Sequence, residues 1–182
     1  MAGIAMSNTD VVMNIPGGRG AVIGNNPLSY AIPAGQHPAL VLDIAMSTVA
    51  GGKVHSAKVQ GEPIPEGWLT DGEGLPTTDP NVFTVDGALT PFAAHKGYGL
   101  AMLVESFAGV LAGAALTSDI LSWGKESAQA CNEGHAFIAV DVAAMVPDGQ
   151  FQTQTDELIS RMKNAPKAQG SERTYVPGEM EW

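Results

Sequence analysis

Cysteine is almost absent from this chain. Cys131 is the only one among 182 residues, so no disulfide can form within the chain, and a reducing cytoplasm suits it. Basic residues are also scarce: nine Lys and Arg stand against 19 Asp and Glu, a formal net charge of −10. A surface that tracks nucleic-acid phosphates needs clustered cations. Nine dispersed ones exclude nucleic acid as a partner, and the acidic balance reads as a solvated surface. No basic region followed by an apolar core opens the sequence, so MAGIAMSNTD is not a secretory leader. Glu105 and several glycines interrupt the apolar run from residue 97 to 116, which makes it a buried helix rather than a membrane span.

Catalytic signatures are missing as well. His37, His55, His95 and His135 stand far apart with no paired ligand spacing, so no metal is expected. Nothing beside Cys131 activates a thiol. There is no G-x-S-x-G elbow and no Walker loop. Gly97-Tyr98-Gly99 begins a G-x-G-x-x-G match, but Met102 stands where the third small residue belongs, so a Rossmann reading fails.

What the chain does have is a sizeable apolar fraction, 45%, together with 22 glycines and 12 prolines. This composition gives a globular, turn-rich protein of one large or two small domains. Apolar runs predict strands at residues 3–6, 11–15, 28–32, 39–44 and 134–141. Ser47 is positioned to cap a helix over 48–60, weakened by Gly51 and Gly52. The main helix is expected over 97–115, and an amphipathic helix over 154–164 with Leu158, Ile159 and Met162 on one face. Residues 61–91, rich in Pro, Gly, Asp and Thr, read as one long loop. Such a loop usually has a function or wraps a partner. Residues 119–129 read as polar and partly helical, and 166–182 as an extended tail.

Three constellations could carry chemistry. His95-Lys96-Gly97-Tyr98-Gly99-Leu100 places a basic pair before two glycines that open an apolar helix. Unsatisfied N–H groups and the dipole at a helix start favour an anion, and glycine permits close backbone approach. Cations at a helix start are electrostatically unfavourable without an anion to bind, so a phosphate or carboxylate site is the preferred reading over a solvated entry turn. His95 is also the best local acid–base candidate. Asp43-Ile44-Ala45-Met46-Ser47 ends a strand in an acid and starts a helix with a hydroxyl. It reads either as a nucleotide site or as a capped helix beside a surface acid. Asn132-Glu133-Gly134-His135 reads either as a ligand-facing turn or as a plain strand entry.

Taken in order, these segments resemble the malate/L-lactate dehydrogenase family that is not Rossmann-based. The resemblance also rests on Gly3-Ile4-Ala5-Met6-Ser7-Asn8-Thr9, Gly24-Asn25-Asn26-Pro27-Leu28, Gly52-Lys53-Val54, Pro63-Ile64-Pro65-Glu66-Gly67-Trp68, Pro76-Thr77-Thr78-Asp79-Pro80 and Pro177-Gly178-Glu179. Each motif alone is weak, but the ordered set covers nearly the whole chain. It implies an α/β fold with a mixed, largely antiparallel sheet flanked by helices. Residues 1–165 would form the NAD(P)-binding domain and 166–182 an extended C-terminal segment. It implies a cytoplasmic homodimer that passes a hydride between NAD or NADP and a small 2-hydroxy or 2-oxo acid. Asn8, Thr9, Asp43, Ile44, Ala45, Met46, Ser47, His95, Lys96, Glu133, Gly134 and His135 would line the cofactor pocket. The family's catalytic histidine lies upstream of the part matching residues 3–9. No catalytic residue is therefore expected in this chain, and it reads as a truncated or split copy with impaired turnover, or as a non-catalytic cofactor-binding or dimerisation remnant.

Overall fold

The computed structural model describes residues 1–122 and 128–180. Its regular elements are β1 (Ala2–Ser7), β2 (Val11–Met13), β3 (Ile23–Gly24), β4 (Leu28–Ile32), β5 (Leu40–Ile44), α1 (Gly51–Gln60), β6 (Leu69–Thr70), β7 (Pro76–Thr77), β8 (Ala88–Leu89), α2 (His95–Val104), β9 (His135–Val140) and α3 (Gln150–Lys163). A π-helical segment, Glu105–Leu111, continues α2. The strands form a four-stranded sheet of order β5-β4-β1-β9 and a five-stranded sheet of order β3-β2-β8-β6-β7. In the five-stranded sheet β2–β3, β6–β7 and β6–β8 are antiparallel and only β2–β8 is parallel. The fold is thus mixed α/β and largely antiparallel, as the family resemblance implies, and it is not a Rossmann sheet.

The chain divides into two compact units. The first comprises Met1–Ala5, Ser29–Asp43 and Phe137–Trp182, and contains α3. Asp156, at mid-helix, accepts backbone N–H bonds from Gly35, Gln36 and His37 at 2.8–3.1 Å. One turn later Ser160 meets His37 Nε2 at 3.3 Å. The helix thereby grips the turn before β5 with a carboxylate and a hydroxyl. Further on, Lys163 pairs with Glu179 of the Pro177-Gly178-Glu179 motif. The Pro177 carbonyl accepts from Val41 N–H in β5 at 3.4 Å.

The second unit comprises Met6–Leu28 and Ile44–Ala136. Met13, Leu69 and Leu89 face one another across β2, β8 and β6, because Leu89 is in register with both of the others. All three are buried, with Met46, Val54 and Ala101 packed into the same cluster. Burial of each large side chain contributes about 1.5–3 kcal/mol. A second cluster, Met6, Val104 and Ala108, lies under the end of α2.

Three expectations need correction. Residues 61–91 are not one loop: they contain β6, β7, β8 and a 3₁₀ turn at Pro80–Val82. Strands of two residues leave no periodic signal, so only the turn residues between them were legible. Ser47 does not cap α1. Its hydroxyl donates to Val49 O at 2.9 Å, and the helix begins after Ala50. Thr48 N–H still donates to Thr90 O at 2.8 Å, which holds the backbone extended until Ala50. The main helix starts at His95, two residues early, and changes to the wider π form at Glu105. Part of the 119–129 stretch (residues 123–127) and the last two residues of the tail lie outside the described residues.

The grip of α3 makes the first unit acid-sensitive. Hydrogen bonds from the Gln36 amide, then His37 and Gly35, hold the Asp156 carboxyl below its ordinary value of 3.8. A depressed carboxyl stabilises the fold above pH 3.8, and that contribution is lost as pH falls through the lower folded value. Amide hydrogen exchange at Gln36 and His37 should therefore be faster in Asp156→Asn than in the parent chain at pH 7. The difference should shrink as pH falls through the carboxyl's lowered value, where the parent side chain is itself protonated. Equal protection at pH 7 would refute the grip.

Candidate functional site

The structure brings the two strongest sequence segments together within the second unit. Met46 O accepts from Phe92 N–H at 3.0 Å, and Thr48 N–H donates to Thr90 O at 2.8 Å. Between them Ser47 bridges Pro91 in an antiparallel pairing. Residues 46–48 thus run alongside 90–92, directly before α2. A cleft of about 550 Å³ opens here, lined by Thr48, Thr90, Pro91, Ala93 and Ala94 together with Asn14, Ile15, Pro16, Gly17, Gly18, Gly67, Glu73 and Gly74. Its size lies within the range of small-molecule sites, roughly 300–1,000 Å³.

The entry to α2 differs from the expected anion cradle. The turn Pro91–Ala94 takes up the helix-start donors. Lys96 N–H donates to Ala93 O at 3.2 Å, Gly97 N–H to Phe92 O at 3.0 Å and Tyr98 N–H to Ala94 O at 3.2 Å. The backbone of Lys96 and Gly97 is therefore engaged inside the protein. Gly97 is buried, and a Cβ there would meet Phe92 O at 2.6 Å and Met46 O at 2.8 Å. Its lack of a side chain serves packing, not ligand approach. What remains outward is the pair of side chains: His95 and Lys96 are both exposed, and neither enters an ion pair among the described residues. Their charge sits at a dipole end that disfavours it.

Two residues that the sequence did not single out shape this entry. Ala93 and Ala94 have φ of 45° and 53°, a region costly for a side chain with a Cβ. Nothing in an Ala-Ala pair signals that conformation.

A second cluster gathers the other predicted residues. Asn8 is fully buried, and its side chain is fully used. Nδ2 donates to Ala115 O at 2.9 Å and to Glu105 Oε1 at 3.4 Å, while Oδ1 accepts from Gly134 N–H at 2.8 Å. Gly134 O in turn accepts from Asn8 N–H at 3.2 Å. Asn8 and Gly134 therefore position their neighbours. Those neighbours, Thr9 and Glu133, line a cavity of about 190 Å³ with Asp10, Asn25 and Gly51. The clusters are joined through Asn25, whose side chain accepts from Thr9 Oγ1 at 3.1 Å and whose carbonyl accepts from Met46 N–H at 2.7 Å. Met46 is core and Ser47 is buried, so this segment meets the cleft through Thr48. His135 is exposed. Asp43 is exposed and belongs to the first unit.

Glu105 and Asn26 are the residues that sequence reasoning missed. Glu105 is 5% exposed. Its Oε1 accepts from Thr117 N–H at 2.9 Å and from Asn8, and its Oε2 accepts from Asn26 Nδ2 at 2.8 Å. A lone acid inside an apolar helix was the available signal, and it was used only to argue against a membrane span. No group of three or more metal-ligating side chains occurs among the described residues. Among them, no helix is long and apolar enough to cross a membrane.

The malate/L-lactate dehydrogenase family model matches residues 1–182. L-sulfolactate dehydrogenase of Methanothermobacter thermautotrophicus is 35% identical over all of this chain and 50% of its own length. The NADP(+)-named (2R)-3-sulfolactate dehydrogenase of Chromohalobacter salexigens is 38% identical over 79% of the chain and 43% of itself. The NAD(+)-named ureidoglycolate dehydrogenase of Escherichia coli is 32% identical over 97% and 50%. The solved sulfolactate dehydrogenase of Methanocaldococcus jannaschii superposes with a TM-score of 0.86 at 33% identity, covering 100% of this chain and 51% of that one. The chain spans about half the length of the relatives it matches.

Two substitutions test the packing at the α2 entry. Gly97→Ala should lower unfolding free energy by about 1–3 kcal/mol through overpacking. Gly99→Ala has open space around the new methyl and should raise it by about 0.5–1 kcal/mol. Urea denaturation measures both, and a neutral Gly97→Ala would contradict the packing role. Glu105→Gln sets an amide donor against donors from Asn8, Asn26 and Thr117. By the same measurement it should cost about 1–3 kcal/mol.

Proposed function

The chain belongs to the malate/L-lactate dehydrogenase family, and we propose that it forms the cofactor-binding part of an NAD(P)-dependent oxidoreductase acting on a small 2-hydroxy or 2-oxo acid. The observation that carries this reading is the pairing of residues 46–48 with 90–92 along one cleft, next in the chain to the exposed His95 and Lys96.

The donor set fits a dinucleotide. Lys96 and His95 supply side-chain charge for phosphate oxygens, Lys as a point charge and His as a donor. The Thr48 and Thr90 hydroxyls, 3.1 Å apart, offer neutral contacts on the wall, and Ile15, Pro16 and Pro91 offer apolar surface for a flat ring. Ile44, Ala45, Met46 and Ser47 hold that wall from behind. Thr9 and Glu133 supply a second contact group, with Asn8 and Gly134 fixing their position, and Asp43 and His135 complete the proposed set. When bound, the nicotinamide supplies or takes the hydride. No catalytic residue is assigned within the chain, because the family resemblance puts the proton donor in the segment upstream of the part matched by residues 3–9. Nothing in the cleft distinguishes a ribose 2′-phosphate from a hydroxyl, so the cofactor is NAD or NADP.

One observation favours a second reading alongside the first. Leu100, Met102, Leu103, Val110 and Leu111 are exposed on α2 and the π-helical segment, an apolar face that suits an interface. It supports assembly as a homodimer, or work as one part of a split enzyme, with the cytoplasm as the proposed compartment. In the limit the chain is a binding or dimerisation module without turnover of its own.

Titration of NADH, followed by its fluorescence, tests the primary reading. The parent chain should bind, and Lys96→Ala should weaken binding about tenfold, the effect of roughly 1.4 kcal/mol lost from a charge-assisted contact. Absence of NADH binding by the parent chain would defeat the cofactor reading.

A further inference from the structure

Two hairpin connections contribute to the lining of the cleft. One, between β2 and β3, carries Pro16-Gly17-Gly18-Arg19-Gly20. The other is the tip of the β6–β7 hairpin, Asp71–Leu75. The tip is rigid: Asp71 Oδ1 accepts from Glu73 N–H and Leu75 N–H at 3.0 and 2.9 Å, and Asp71 N–H donates to Leu75 O at 2.9 Å. The two connections touch at Gly74, where a Cβ would lie 3.1 Å from Gly18 O and 3.2 Å from Arg19 Cβ. Arg19 Nη1 then donates to Glu73 Oε2 at 3.1 Å. This is the one ion pair of the second unit among the described residues.

Its stabilising value is small. Both side chains are largely exposed, at 69% and 77%, and exposed pairs contribute about 0–1 kcal/mol. Its position is more informative. Glu73 is the only charged residue among the described residues lining the cleft. Alone, it would repel any anion that entered. Arg19 sits on that carboxylate, cancels it, and engages it through Nη1. A guanidinium carries five N–H donors in a fork that matches a carboxylate, so one partner leaves the rest of the fork available.

We infer that Arg19, paired with the cleft-lining Glu73, is the residue that recognises the carboxylate of the acid substrate. Glu73 fixes the guanidinium against one edge, and the substrate carboxylate takes the other. This deepens the oxo-acid reading of the cleft and rests on it. The roles then divide, with His95 and Lys96, next in the chain to the lining residues Ala93 and Ala94, assigned to the cofactor phosphates, and Arg19, next to the lining residue Gly18 and paired with the lining residue Glu73, assigned to the substrate.

Oxalate, a stable dianion with adjacent carboxylates, is a suitable probe. Calorimetric titration of oxalate into the full chain, with and without NADH, should show binding that Arg19→Ala weakens at least tenfold. Arg19→Lys should weaken it by an intermediate factor, because a point charge replaces a fork. Arg19 is exposed, so both variants should fold as the parent does, and thermal unfolding checks this. Oxalate binding equal in the parent and Arg19→Ala, or none in the parent, would overturn the assignment. A parallel NADH titration separates the two readings. NADH affinity unchanged by Arg19→Ala supports the division of roles, and an equal loss for NADH would move Arg19 to the cofactor and overturn its substrate role. Failure of NADH to bind the parent chain would defeat the cofactor reading alone, leaving the oxalate comparison to decide on Arg19.

Discussion

Glu105 is an acid in a place where an isolated charge costs several kcal/mol. It is tolerated because both oxygens are met by donors from distant parts of the chain: Asn8, Asn26 and the Thr117 amide. Each asparagine then spends its remaining groups on backbone. Asn8 holds Ala115 O and Gly134 N–H. Asn26 holds Ala101 O and Thr9 N–H, at 3.0 and 3.2 Å. One carboxylate therefore fixes the end of β1, the turn before β4, the end of α2 and the turn before β9. No buried side-chain polar atom is left without a partner among the described residues, the condition under which such a network specifies one arrangement. The residues proposed to touch ligand, Thr9 and Glu133, are chain neighbours of residues in this network.

The π-helical segment follows from the same demand. Wider turns are rare and tend to mark functional positions. Here the widening starts at Glu105 itself, and the following turn runs close to the asparagine. A Cβ on Gly109 would stand 2.8 Å from Asn8 Nδ2, and one on Gly134 would stand 1.8 Å from Ala108 O. These glycines admit backbone to backbone around a buried polar knot. Gly134 was legible as part of the Asn132-Glu133-Gly134-His135 turn and Gly109 only as an interruption of the apolar run, but the physical service of both is to packing.

The same network explains which features the sequence revealed. Strands β1, β4, β5 and β9 are five or six residues long, enough for an apolar run to stand out, and all four lie inside the expected ranges or within a residue of them. β6, β7 and β8 are two residues each, too short for any period. The ordered motifs pointed to the right family because each marks a local backbone need. The bonds that make those motifs cooperate span large sequence separations, 97 residues for Asn8 to Glu105 and 126 for Asn8 to Gly134, and no local pattern encodes them. The α2 entry misled for a related reason. Glycines after a basic pair suggest open N–H groups, but two alanines held at positive φ fold the preceding turn back and occupy those groups first.

With the Lys96, Gly97 and Tyr98 amides occupied, any anion recognition at this cleft falls to side chains, and the net charge of −10 sets how that must work. Screening confines the field of exposed charges to about 8–10 Å at physiological salt, so the distant acids cost an approaching anion little. Charges at the rim decide. Glu73 is the unfavourable one, and Arg19, Lys96 and His95 are the residues that can outweigh it. A few local cations against a weak global field give selectivity through geometry rather than through bulk attraction.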